Sequence, residues 1–281
     1  MAGLIESYEY LRWTRRYARC GSFALKAVAT DENLALLRIG NILWKNDDEE
    51  AGLIEFVELT GVEQEFITVS GRFATSFLAR RIVWNTEILN GDLSVAVGQL
   101  LNRHLLNPVK SERKIGGIAY LPVALGIPVN MQVSYKNLMA VVTDLCDAAD
   151  VGIKTVFEPT TGDFSVQLYR GDISQAVFSR EYENSIGQIF TQSVAEYANV
   201  ALVGGEGEGT DRQFVTVGGG EDEDRYETFV DAKDLAAENF PGTYEEARIF
   251  RGKSKLTEQA MVQAFDVTVN QYGNLTYKEG L

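Results

Sequence analysis

Apolar residues at every second position dominate the first 85 residues, and this period predicts short strands. Ser22–Val28 alternates in this way, and Asn41–Lys45 and Leu53–Leu59 follow as two further strand candidates. Asp31 begins a short amphipathic helix between them. So many short strands and turns, with one helix among them, predict a small β-barrel over residues 1–85.

The pattern changes to a helical period over residues 86–176, which predicts an α/β insertion. One helix opens at Gly91 and ends before Pro108, and a second over Tyr135–Ala149 carries apolar residues on one face. A hairpin of two strands follows at 152–169, whereas residues 115–130 show no clear period.

Strands resume over residues 177–281 and predict a second barrel that includes a helix at 243–263. The strand candidates are separated by glycine-rich acidic turns; they are Gly187–Tyr197, Asn199–Gly204, Gln213–Val217, Tyr226–Val230 and Phe265–Val269. The whole pattern therefore predicts an α+β fold that is mainly β.

Composition and net charge exclude several classes of protein. The chain has 281 residues, of which 45% are hydrophobic and 23% charged, and this excludes disorder as the main state. Its formal net charge of −14 opposes general binding of nucleic acid, because phosphate binding depends on Lys and Arg. Cys20 and Cys146 cannot form a disulfide framework and are expected as free thiols.

We expect neither export nor stable membrane insertion. The longest apolar stretch, 115–131, is interrupted by Gly and Pro residues and is too short to cross a bilayer. Residues 1–6 run from Met1 directly to Glu6 without the pattern of a signal peptide.

No catalytic, cofactor or metal site is predicted. His104 is the one histidine, and the sequence has no nucleophile motif with which it could form a catalytic site. Its position near a helix C-terminus favours a structural role. Gly252–Ser254 resembles the end of a phosphate loop, but Ala247 stands where the loop needs glycine. Acidic pairs suited to glycoside hydrolysis are numerous, and none is distinguished from the others.

Charge is unevenly distributed and gives two candidate surfaces. An arginine–aromatic cluster consists of Arg12, Trp13, Arg15, Arg16 and Tyr17. We expect it to serve assembly or core packing rather than DNA binding, because arginine bridges carboxylates well. The alternative is a solvated strand face with cation–π pairs.

The second candidate surface is acidic. Residues 206–238 contain 11 acidic and 3 basic residues, so a net charge of −8 lies within 33 positions. The candidate residues are Glu206, Glu208, Glu221, Asp222, Glu223 and Asp224.

Six blocks of sequence, in the same order, resemble a family of siphophage tail proteins. They span about residues 8–275 and are Trp13–Tyr17, Gly40–Gly52, Gly71–Trp84, Phe178–Glu181, Asn199–Gly209 and Phe229–Leu235. The resemblance implies a tail-tip hub like that of contractile-tail baseplates and the N-terminal part of tail-associated lysins. Such hubs are homotrimers in which each subunit supplies two small tube-type barrels to a ring that continues the tail tube.

The implied role is structural, in a virion tail assembled in the host cytoplasm, and not enzymatic. The implied partners are a distal tail protein ring, a tape-measure protein, and tail fibres or receptor-binding proteins. Relatives continue beyond Leu281 with at least one more strand, and no lysin or peptidase part follows here, so wall-degrading activity is not carried over. The alternative is a tail-tip enzyme or carbohydrate-binding module that acts on cell-wall glycan.

DNA passes through such a hub without specific binding, because each phosphate held by a cation would slow its movement. We therefore expect the acidic candidates within 206–224 to face the channel or its rim. The alternative is that they form outer hairpin tips whose charge serves solubility.

Overall fold

The computed structural model describes residues 3–61, 65–172, 181 and 185–269. Its fold is mixed α/β and mainly β, with a curled half-barrel sheet and a C-terminal helix. The chain forms two compact units, each built from more than one segment. The first comprises Met1–Glu87, Gly91–Ile127 and Val133–Arg170, and the second Ile88–Asn90, Pro128–Gln132 and Gly171–Leu281.

The first unit begins with a five-stranded antiparallel sheet in the order β1-β2-β5-β4-β3. Its strands are β1 Tyr10–Thr14, β2 Ser22–Val28, β3 Ile42–Trp44, β4 Ala51–Thr60 and β5 Phe66–Phe73. The predicted strand at 22–28 is confirmed to the residue, and every second side chain of β2 is buried. Phe23 and Leu25 therefore pack with Phe73 in the core of this sheet.

A bulge in β4 explains why glycine stands at position 71, within a block that carried part of the resemblance. The register shifts at Glu55, where a Cβ on Gly71 would lie 1.8 Å from the carbonyl oxygen of Leu53. Only glycine fits this close approach. The next residue, Arg72, donates two hydrogen bonds of 2.8 and 2.7 Å to the Glu55 carboxylate and joins the bulge to β5.

The rest of the first unit contains a three-stranded sheet, 3-10 helices at Ala74–Arg80 and Ser111–Arg113, a π-helix at Asn102–Leu106 and three α-helices. The α-helices are α1 Asp31–Leu36, α2 Leu93–Leu101 and α3 Leu138–Ala149. The further strands are β6 Glu87–Asp92, β7 Ile118–Leu121, β8 Pro128–Val133, β9 Gly152–Glu158 and β10 Asp163–Tyr169. Strand β10 pairs in parallel with β7 and antiparallel with β9, and β6 pairs with β8. Ile88–Asn90 of β6, and all of β8 except Val133, belong to the second unit.

Side-chain caps set the helix starts. Thr30, not Asp31, caps α1 by accepting from the Asn33 N–H. Asn137 caps α3 by accepting from the N–H groups of Met139 and Ala140. The helix therefore begins at Leu138, three residues after the predicted start at Tyr135. Tyr135 has a φ of 54°, outside the helical range, so the helix begins only after it.

The second unit pairs a three-stranded sheet with one helix. Its elements are β11 Ser185–Ser193, β12 Val200–Gly204, β13 Phe214–Gly218, β14 Glu227–Asp231, α4 Tyr244–Glu258 and β15 Val262–Val269. The sheet order is β13-β12-β14, and β11 pairs with β15. Ala201 and Val203 of β12 face a core that also contains Ala247 of α4.

Several predicted boundaries were wrong for local reasons. Helix α4 ends at Glu258 rather than 263, because β15 already begins at Val262. Residues 82–84 make a single β-bridge, from Ile82 to Asn137, and do not form a strand. The block at 178–180 lies outside the described residues, and the division into domains at residues 85 and 176 stays a prediction.

Candidate functional site

The first two members of the arginine–aromatic cluster, Arg12 and Trp13, are adjacent in strand β1 and have different environments. Trp13 turns inward, and its ring centroid lies 4.7 Å from that of Phe73 and 5.8 Å from that of Phe23. Arg12 is exposed, as expected for a neighbour on the opposite face of a strand. Trp13 is therefore a packing residue of its own unit.

Arg15 belongs to a small ionic network. Its guanidinium lies 3.4 Å from Glu49 and 3.6 Å from Glu50, and Lys154 Nζ lies 2.7 Å from Glu49. Glu50 is buried, and burial raises the pKa of its carboxyl to about 7, although Arg15 acts in the opposite direction. Arg15 thus partly balances a buried acid.

Tyr17 is also tied to its own unit, whereas Arg16 is not. The Tyr17 hydroxyl donates to the carbonyl oxygen of Asp150 at 3.0 Å, and its ring meets Tyr169 edge to face at 5.4 Å. Arg16 is exposed, and neither it nor Arg12 forms an ion pair with any described residue. That these two arginines contact another subunit stays a prediction.

The acidic candidates also differ in whether their side chains contact other groups of the protein. Glu206 accepts from the Ala237 N–H at 3.1 Å, while its own N–H donates to the Tyr244 hydroxyl at 2.8 Å. Glu208 is exposed and lies 3.6 Å from Lys233 Nζ. Glu206 therefore has a structural role in the second unit.

Glu221, Asp222, Glu223 and Asp224 form an exposed acidic turn. Its backbone is fixed from outside, because the Asn199 side-chain amide donates to the carbonyl oxygen of Asp224 at 2.6 Å and Arg225 donates to that of Gly220 at 3.2 Å. Over the described ranges, none of the four carboxylates has a cation within ion-pair distance. Whether they face a channel is untested and stays a prediction.

Arg212 was not singled out from the sequence, yet it organises the outer face of the three-stranded sheet. It donates to the carbonyl oxygens of Gly204 and Gly205 at 2.9 and 3.1 Å and to the Asp231 carboxylate at 2.5 Å. Its guanidinium also lies 5.7 Å from the Phe214 ring and 5.3 Å from the Phe229 ring. A Cβ on Gly204 would occupy the same space.

His104 has a structural environment. It is buried, its Nδ1 accepts from the Trp84 N–H at 3.4 Å, and its Nε2 lies 3.1 Å from Glu87. Burial lowers its pKa, although Glu87 opposes this, so the ring is neutral near pH 7. Both ring nitrogens thus face protein groups, and neither is available to a substrate.

The two thiols, Cys20 and Cys146, lie in environments that disfavour the thiolate form. Burial raises the pKa of Cys20 to about 11 and that of Cys146 to about 12, so both stay protonated near neutral pH. Within the part of the chain that the structure describes, no group of three or more His, Cys, Asp and Glu residues could hold a metal ion. In the same part, no helix is long and apolar enough to cross a membrane.

Comparison with known proteins identifies the family. The family described as Siphovirus ReqiPepy6 Gp37-like protein matches residues 1–280. The chain belongs to this family of siphovirus tail proteins. The resemblance seen in the sequence is therefore confirmed, and the protein is a phage or prophage tail protein and a component of a virion tail. No curated protein matches the chain.

Solved structures support the fold of this siphovirus tail protein. The 43 kDa tail protein of prophage MuSo2 from Shewanella oneidensis has a TM-score of 0.55 at 14% identity, over 91% of this chain and 78% of that one. Prophage tail protein gp18 from Listeria monocytogenes EGD-e has a TM-score of 0.53 at 10% identity, over 84% and 68%. At these identities the similarity concerns the fold alone.

Proposed function

We propose that this tail protein is a structural hub of the tail tip and works as a homotrimer. Each subunit supplies two tube-type barrels to a ring that closes and continues the tail tube. The observation that carries the proposal is the match of one tail-protein family to residues 1–280. Sheet edges support it, because among the described residues β1 and β3 end one sheet and β13 and β14 end another, and unpaired edges favour pairing with another chain.

The ring links the tube to a distal tail protein ring, a tape-measure protein, and tail fibres or receptor-binding proteins. It is assembled in the host cytoplasm and performs no catalysis. DNA passes through it without specific binding, which the net charge of −14 supports.

The test is the oligomeric state of the purified full chain. Light scattering over a range of concentrations is expected to reach three times the mass of one chain, and negative-stain images are expected to show rings with a central opening. A chain that stays monomeric at high concentration and does not bind a distal tail protein ring would contradict the proposal.

A further inference from the structure

A basic surface in the first unit is used by neither the core nor the arginine–aromatic cluster. We call it the Trp84 patch, and it consists of Arg81, Ile82, Trp84, Lys110 and Arg113. Trp84 and Ile82 expose 45% and 40% of their surface. Lys110 Nζ lies 5.2 Å and Arg113 Cζ 4.7 Å from the Trp84 ring, so an exposed aromatic ring is flanked by two cations.

Backbone carbonyl groups hold these cations together without neutralising them. Arg81 donates to the carbonyl oxygen of Arg113, and Arg113 donates to that of Ile82 at 2.7 Å. Burial, and then the positive charges of Arg113 and Arg80, lower the pKa of Arg81. No carboxylate from the described ranges forms an ion pair with Arg81, Lys110 or Arg113. An anion bound from outside would therefore relieve repulsion within the patch.

The second unit carries the complementary surface. The acidic turn Glu221–Asp224 presents four adjacent carboxylates on a backbone fixed by Asn199 and Arg225. Tyr226, 44% exposed, follows the turn. A chain with both surfaces carries unbalanced positive charge at one place and unbalanced negative charge at another. Contact between copies would balance both.

We propose that the Trp84 patch of one copy binds the acidic turn Glu221–Asp224 of a neighbouring copy. The inference rests on the proposed trimer and names the surfaces that join its subunits. Such a contact uses two different surfaces, as a closed ring requires. It also assigns these four acids to a subunit boundary rather than to the channel. The partner is a protein carboxylate and not a nucleic acid, because a chain of net charge −14 repels a long polyanion outside the patch.

The first test reverses one charge on each surface. Lys110→Glu and Glu223→Lys are each expected to weaken self-association about tenfold, since like charges then face each other. The two changes in one chain are expected to recover most of the loss. Lys253→Glu is the matched control, because Lys253 is exposed on α4 and has no ion pair with a described residue. Light scattering measures all four proteins, and single reversals that leave association unchanged would overturn the inference.

The second test measures the contact without a ring. A peptide of residues 219–227 is added to the full chain, and tryptophan fluorescence reports binding at Trp84. Wild type is expected to bind this peptide, and to bind a peptide with Gln and Asn in place of the four acids at least tenfold more weakly. Lys110→Glu should lose the binding, and Trp84→Phe should lose the signal. Equal binding of both peptides, or tighter binding of duplex DNA, would overturn the inference.

The two tests separate this inference from the proposed function. Rings that form equally well in every variant would refute the patch contact and leave the hub intact. A monomeric wild type that still binds the acidic peptide would refute the hub and support the chemistry of the patch. Reversals that change peptide binding but not association would show that the turn binds the patch of its own chain, which contradicts a contact between copies.

Discussion

Arg15 in the first unit and Arg212 in the second both join a strand region to an acidic residue, but their surroundings differ. Arg15 lies beside Glu50, whose side chain is only 5% exposed. Arg212 lies on an outer sheet face between two phenylalanine rings, and its acidic partner Asp231 is 61% exposed. The first arginine compensates a buried charge, whereas the second mainly satisfies backbone carbonyl groups.

This difference predicts different responses to pH. A buried carboxylate needs its cation only when it is ionised, so the importance of Arg15 depends on pH near 7. Carbonyl oxygens do not titrate, and Asp231 has a pKa below its usual range through hydrogen bonds from the Lys233 N–H and Arg212. The contribution of Arg212 should therefore be constant between pH 5 and 8.

Arg15→Ala should have the largest effect. At pH 8 it leaves the ionised Glu50 without its nearest cation, and we expect a loss of about 2–3 kcal/mol in the free energy of unfolding. At pH 5 Glu50 is protonated and the loss should be below about 1 kcal/mol. Urea unfolding at both pH values measures this. Equal losses at the two pH values would remove the distinction between the two arginines.

Glu50→Gln should act in the opposite direction. The folded pKa of about 7 lies above the ordinary value of 4.5, so the folded state binds more protons between these pH values. Wild-type stability should therefore fall as pH rises through this window and level off above it. The Gln variant lacks this loss and should be about 1–2 kcal/mol more stable than wild type at pH 8, with little difference at pH 4. A Gln variant that is less stable at pH 8 would contradict the burial argument.

Gly204→Ala tests the arginine of the second unit. The new methyl group would meet Arg212 Cζ at 2.7 Å and displace it from both carbonyl oxygens. We expect a loss of about 1 kcal/mol that is the same at pH 5 and pH 8. Arg212→Ala should cost a similar amount, and the double variant should lose less than the sum because both changes remove the same contacts. Additive losses would show that Arg212 keeps its position in the alanine variant.

Arg12→Ala and Arg16→Ala should have the smallest effect on stability. Both side chains are exposed without ion pairs among the described residues, so each change should stay within about 0.5 kcal/mol. If these arginines contact another subunit, self-association should weaken while the unfolding midpoint stays constant. A clear loss of stability in either variant would instead place the side chain in the packing of its own unit.

The alternation of apolar and polar residues correctly predicted the strands in which buried and exposed side chains alternate. Strand β2 alternates throughout, and the β9–β10 hairpin follows the predicted ranges closely. Strand β8 has an irregular burial pattern and begins at a proline, while β7 pairs in parallel with a distant strand. Strand β7 is apolar at all four positions, so its sequence shows no alternation of apolar and polar residues. The apolar residues of β8 do alternate over Val129–Val133, and this short signal was missed beside the Gly- and Pro-containing stretch before it.

The charged surfaces were predicted in part. The sequence identified the cluster at 12–17 but not its division, although Trp13, Arg15 and Tyr17 alternate with the exposed Arg12 and Arg16. Strand periodicity separates only Arg12 from Trp13, because β1 ends at Thr14 and residues 15–17 lie beyond it. The Trp84 patch was missed because Arg81 and Lys110 are far apart in sequence. Their proximity depends on tertiary structure, which composition and spacing do not reveal.

Two short segments, Ile88–Asn90 and Pro128–Gln132, affect how the protein can fold while it is being synthesised. Both segments belong to the second unit, yet they leave the ribosome before most of it exists. Ile88 packs against a core that includes Val230 and Ala247, which are made 142 and 159 residues later. The first unit, for its part, is complete only at Arg170. Nascent chains therefore carry unfinished strands for much of translation, and a ribosome that pauses after residue 170 would give them time to aggregate.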